Sequence, residues 1–171
     1  IWRQPCESIY SSSGYGHKFH VVHDMEGYYL SSIAWFCSCG FTRGSVHYWV
    51  NGKTDYSGDA GPGQITQTVR EAYYAGHARC WNSYSTGTEH EGFAANPAWF
   101  TDSMYNASSM LTAHLCNKFG MAKDRNHVVG HGQESYSGWA GYASSHWGVD
   151  PYCNSHTDPG PYWNWSKYMS L

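Results

Sequence analysis

The apolar positions of this chain follow two rhythms. Two short β-rich runs, FHVVH (19–23) and HVVGH (127–131), each end on a histidine. In YYLSSIAWFC, residues Leu30, Ile33, Ala34 and Cys37 recur at i, i+3, i+4 and i+7, which predicts a helix with one buried face. SVHYWVNGKTDY sets two extended runs around Asn51-Gly52, a strong hairpin signal. QITQTV reads as a further strand, and STGTEHEGF (85–93) as another, with Glu89 and Glu91 on one face. Asn96-Pro97 supplies a cap and a first helical position. Phe100, Met104, Ala107, Leu111 and Leu115 then hold the helical period until Gly120 ends it. Residues 132–153, rich in Gly, Ser, Tyr and Trp, read as a loop before NSHTDPGPYWNW and a short terminal segment. Residues 1–16 have no period and read as an N-terminal arm, leaving 17–171 as one domain without repeats or linkers. The expectation is a single-domain α/β fold, a mixed central β-sheet flanked by α-helices.

Composition narrows the function. Charged residues make up only 13% of the chain while aromatics reach 18%, with 15 Tyr and 9 Trp. Such a surface presents hydroxyls and rings, which suits a carbohydrate or peptide groove. A formal net charge of -3 and the lack of a basic stripe argue against nucleic acid. No apolar run is long enough to span a membrane. The six cysteines contain no CxxC pair, which excludes zinc-ribbon and thioredoxin-like readings and favours disulfides in an oxidising compartment. Cys37 and Cys39 are too close for an easy mutual bridge, so each pairs elsewhere or one stays free. The chain opens on Ile1, and we read it as a mature, secreted monomer whose leader has been removed.

The histidines carry the chemistry. A histidine ending a buried strand sits where a sheet meets a cleft, and two such strands side by side offer two imidazoles to one metal. Catalytic zinc takes three protein ligands and leaves a fourth position for water. His23, His131 and Asp158, the last held by the Asp-Pro-Gly-Pro turn at 158–161, form such a set. A metal hydrolase also needs a carboxylate that is not a ligand, and Glu89 is the candidate. The competing reading is a set of hydrogen-bonded core histidines and a surface strand glutamate. His127, His146 and His156 are rival ligands.

These segments together resemble the zinc-dependent N-acetylmuramoyl-L-alanine amidases of bacteria and phages, which are related to peptidoglycan recognition proteins. The resemblance runs from about residue 17 to residue 168. FHVVHDMEGYY resembles the family's first strand, closing on the first zinc histidine, here His23. GSVHYWVNGKTD is similar to its SxHY…dG hairpin, which places His47 in the substrate groove. YAGHARCWNSYSTGTEHEGF resembles HAG…N…sIGIEhEG, which implies that His77 and Asn82 bind substrate and that Glu89 is catalytic. HVVGHGQ resembles the strand ending on the second zinc histidine, here His131. HTDPGPYWNW is similar to KxDPGPxFxW, with Asp158 as the third ligand. The chain departs from the pattern in carrying His156 in place of a lysine, Val46 where some members have a functional tyrosine, and 27 positions between His131 and Asp158. The resemblance implies a peptidoglycan amidase with Zn2+ as cofactor and muropeptides as substrates, with His156 beside the scissile carbonyl. The alternative is a peptidoglycan-binding recognition module without catalysis.

Overall fold

The computed structural model describes residues 2–3 (backbone only), 16–38, 44–53, 60–133 and 138–171. Six strands form one mixed sheet: β1 (Trp2–Arg3), β2 (Phe19–Asp24), β3 (Tyr48–Val50), β4 (Ile65–Gln67), β5 (Ser85–His90) and β6 (Val128–Gly130). Their spatial order is β1-β4-β3-β5-β2-β6. Only β3 and β4 are antiparallel; every other neighbouring pair is parallel. Four helices accompany the sheet: α1 (Tyr29–Cys37), α2 (Asp102–Phe119), α3 (Trp139–Trp147) and α4 (Trp165–Ser170). The expected mixed α/β architecture is present, and the arm adds the edge strand β1.

Strand β2 shows how the two faces are built. All six of its residues are buried, as a parallel strand covered on both sides requires. Val22 points into a core with Val50, Val128 and the α2 side chains Met104, Leu111 and Leu115, closed by Trp163 and Tyr168. Phe19 and Val21 share the other face, each an odd number of residues from Val22, and meet Trp81, Val129, Trp139 and Ala143. A third cluster joins Tyr29 and Ile33 of α1 to Val46 and Trp49. Full burial of each such large side chain contributes roughly 1.5–3 kcal/mol.

Several expectations need correction. Residues 132–153 are not all loop, because α3 lies inside them. Trp139 and Ala143, at i and i+4, bury one face, and left-handed Gly138 and Gly148 bound the helix. The buried face of α1 is set by Tyr29 and Ile33, while Ala34 is exposed. Asn96 caps only a single 3-10 turn at Pro97–Trp99. The long helix starts at Asp102 instead, with the Thr101 side chain accepting from Met104 N.

The Asn51-Gly52 hairpin is also different. The antiparallel partner of β3 is β4, reached through a longer excursion, with Asn51 N donating to Gln64 O at 2.9 Å. Much of the expected second run, residues 54–59, lies outside the described residues. Gly52 and Lys53 do not form a tight turn because their N–H groups both donate to the Glu91 carboxylate, at 3.0 Å each.

Candidate metal centre and cleft

The strand register assembles the site. β2 pairs with β5 so that His23 lies opposite Glu89, and β2 pairs with β6 so that Val22 lies opposite Gly130, one residue before His131. His23, Glu89 and His131 therefore converge at the carboxyl ends of three parallel strands, where α/β sheets present their ligand crevices. Asp158 arrives from the Pro-Gly-Pro turn. That turn is seated on β6: Gly132 N donates to Asp158 O at 3.1 Å, and a Cβ at Gly130 would meet Pro159 at 2.9 Å. Gly160 closes it with a φ of 84°. Trp163 anchors the segment, buried against His90, Phe100, Tyr105 and Tyr168.

His23 Nδ1 is 2.9 Å from Asp158 Oδ2, and His131 Nδ1 is 3.2 Å from Asp158 Oδ1. The three ligand atoms fall within 4.8 Å of one another, with both histidines buried. Two imidazole nitrogens and one carboxylate at this separation fit the donor set of a catalytic zinc site. Burial lowers the His23 pKa to about 4, although Asp158 opposes the shift, so its ring is neutral at pH 7. Burial would raise the Asp158 carboxyl, but the close approach of His131 and His23 outweighs it and holds it well below the usual range.

Around this cluster lies a cleft of about 480 Å³ whose walls include Phe36, Val46, His77, Glu89, His156 and Thr157. Glu89 Oε2 is buried and has no hydrogen-bond partner among the described residues. Burial, followed by the charges of Asp158 and Asp24, pushes its pKa well above the usual value. His156 is half-exposed, its ring stacked on that of His131. Burial and then His131 lower its pKa.

The groove residues divide. His77 lines the cleft. His47 does not, because it is fully buried, with Nε2 at 3.0 Å from Tyr73 O and Nδ1 accepting from Gly87 N at 3.1 Å. Asn82 turns its Oδ1 inward to accept from His77 N and Ala78 N, at 3.0 and 2.6 Å. Neither of these two lines the cleft, and both side chains are engaged with main-chain groups. Glu91 is likewise buried, accepting from Tyr29 N, Gly52 N and Lys53 N. Of the rival ligands, His127 pairs with Asp124 and His146 bonds Tyr142 O, both away from the cleft.

The sequence reading overlooked Asp24. It lines the cleft beside His23, is 6% exposed, and burial raises its carboxyl to about 7. Its only signal was its place directly after a strand-end histidine.

A sheet that brings two imidazoles and two carboxylates to one cleft defines a hydrolase-type site able to hold a divalent metal. A family model described as N-acetylmuramoyl-L-alanine amidase matches residues 14–161. N-acetylmuramoyl-L-alanine amidase A of Achromobacter lyticus is 32% identical over 187 aligned residues, which span 100% of this chain and 92% of that protein. The chain belongs to the N-acetylmuramoyl-L-alanine amidase family. Its fold is similar to the crystal structure of an AmpD selenomethionine derivative (TM-score 0.66, 21% identity, 99% of this chain and 93% of that one). It is also similar to the E. coli N-acetylmuramyl-L-alanine amidase AmiD (TM-score 0.62, 21% identity, 98% and 60%). That structure holds the substrate anhydro-N-acetylmuramic acid-L-Ala-D-gamma-Glu-L-Lys.

Proposed function

We propose that this protein is a zinc-dependent peptidoglycan amidase that hydrolyses the amide between the lactyl group of N-acetylmuramic acid and L-alanine. One observation carries the mechanism: His23, His131, Asp158 and a buried, unengaged Glu89 share one cleft. Zinc would be held by His23, His131 and Asp158, and when bound it supplies a Lewis acid and a water of lowered pKa.

The protein's own groups do the rest. Glu89 stands beside His23 in the strand register, with an oxygen committed to no other donor. It takes a proton from the attacking water and passes it to the alanine nitrogen as the C–N bond breaks, which avoids expelling an amide anion. The raised Glu89 pKa suits a group that must hold that proton between the two steps. His156, neutral and half-exposed at the rim, donates an N–H to the carbonyl oxygen as it gains charge. The cleft volume lies within the usual range for small-ligand sites, enough for the muramyl-alanyl junction.

The Cys80–Cys153 disulfide supports a secreted protein, since such bonds persist in oxidising compartments. A recognition module without catalysis has no use for a buried, unengaged glutamate beside three ligand groups. Incubation with muropeptides, with and without a chelator, decides between them. Release of free stem peptide and lactyl-ended glycan, abolished by the chelator, is the expected result; tight binding without cleavage would overturn it.

A further inference from the structure

His77 sits at the edge of the cleft, yet its ring nitrogens face the protein. Nδ1 lies 2.9 Å from His23 Nε2, and Nε2 lies 3.4 Å from Ser85 Oγ. The network sets the tautomers from the outside inward. Ser85 Oγ donates its single proton to Trp81 O at 2.8 Å, so towards His77 it acts as an acceptor. His77 Nε2 therefore carries the N–H, and its Nδ1 is a bare lone pair. His23 Nε2 must then carry a proton to meet that lone pair. A neutral imidazole has only one N–H, so His23 Nδ1 is left as a lone pair facing Asp158 Oδ2 at 2.9 Å. Two acceptors at that distance repel unless a cation lies between them.

We propose that His77 is a positioning residue for the metal site: the Ser85–His77–His23 chain locks His23 in the Nε2–H tautomer and aims Nδ1 at the metal. The inference rests on His23, His131 and Asp158 being the ligands. It assigns His77 to the metal and not to the substrate.

The surroundings are built for this placement. Asn82 Oδ1 fixes the main chain at His77 and Ala78. The His77 ring lies across β5 at Gly87, where an added Cβ would stand 2.6 Å from Nδ1, so only glycine admits it. The other imidazole ligand has no such brace, since His131 Nε2 is buried without a partner among the described residues. Outer-shell partners of metal-bound histidines typically contribute 10–100-fold in metal affinity. Among the described residues, that contribution falls to His77.

The test is zinc affinity of the full chain by chelator competition, with kcat and KM measured alongside. His77→Ala is expected to weaken zinc binding by roughly 10–100-fold. His77→Asn, whose Oδ1 can stand in for Nδ1 as acceptor, is expected to stay within about threefold of wild type, because it keeps the acceptor that sets the tautomer. Nitrogen-15 imidazole spectra of the zinc-loaded wild type should show His23 protonated at Nε2, a readout that survives if the Ala variant does not fold. Unchanged zinc affinity in folded His77→Ala, with only KM raised, would make His77 a substrate contact and overturn the proposal. So would a His23 proton on Nδ1. Failure of the wild type to bind zinc at all would overturn the parent reading together with this one.

Discussion

The imidazole of His156 lies flat on that of His131, with ring centroids 4.1 Å apart and planes 11° apart. The stack holds a half-exposed ring at the rim of the cleft, with Nδ1 at 3.6 Å from Asp158 Oδ1, beyond an ordinary hydrogen bond. His156 thus keeps a donor for substrate while its lowered pKa leaves it uncharged at neutral pH. We expect His156→Ala to lose kcat by roughly 10²–10³ with little change in substrate binding. His156→Lys should keep substantial activity and extend it to alkaline pH, since a lysine stays cationic up to about 10.4. Profiles of kcat against pH for the three proteins decide. Wild-type turnover in His156→Ala would leave the ring a structural cover for His131 alone.

Glu89 and Glu91 stand two residues apart and answer to different physics. Glu89→Gln keeps the shape and loses the proton acceptor, so kcat should fall by roughly 10² or more while zinc content stays at wild-type level. Glu91 accepts three main-chain N–H groups from α1 and the start of the β3–β4 connection. Hydrogen bonds to a charged group contribute about 1.5–3 kcal/mol each, so Glu91→Gln should lower the melting temperature markedly. The folded fraction should keep near-normal kcat. Parallel melts and kinetics test both, and the reverse pattern would exchange the two roles.

Legibility differed by element, for physical reasons. The strands carrying His23 and His131 were readable because a short apolar run ending on a polar residue is what a buried strand feeding a cleft must be. The turn at Asp158 was readable because proline and glycine there dictate the backbone. Helix α3 was not, since its glycines and serines mask a buried face made only of Trp139 and Ala143. The partner of β3 was misread because Asn51-Gly52 has the composition of a hairpin turn, while the buried Glu91 captures the amides that such a turn would use. His47 and Asn82 were placed in the groove by motif position. The burial of His47 and its bonds to Tyr73 O and Gly87 N are long-range facts that a local pattern cannot carry. Asn82 spends its Oδ1 on the nearby amides of His77 and Ala78.

Removing Asp158 tests the ligand set most directly. Its two oxygens face His23 and His131 separately, so Asp158→Ala takes away one ligand and the group that holds the other two in register. Zinc affinity should fall by more than about 100-fold, beyond what an outer-shell partner contributes. Activity should fall with it. Elemental analysis after dialysis against a weak chelator gives the occupancy. Full occupancy with full turnover would remove Asp158 from the set.

The last expectation concerns the cysteines, whose even count favoured disulfides. Cys80 and Cys153 are bonded across a sequence separation of 73, tying the 3-10 turn at Arg79–Trp81 to the segment that leads to His156 and Asp158. Cys116 is a buried thiol on α2, with Sγ facing Ala122 O and no disulfide. Cys6 and Cys39 lie outside the described residues. Closing a loop of that length removes roughly 4 kcal/mol of unfolded-state entropy in the chain-entropy model. Replacing both cysteines with serine should therefore cost about 2–4 kcal/mol and lower the melting temperature by roughly 5–15 °C. Zinc affinity should change far less, because Asn154 Nδ2 still donates to Ala78 O at 3.2 Å and holds the same two segments together. Thiol titration of the wild type, denatured without reductant, should find at least the Cys116 thiol, and peptide mapping should recover the 80–153 pair. A complete absence of titratable thiols would mean that Cys116 is paired and that α2 packs differently around it.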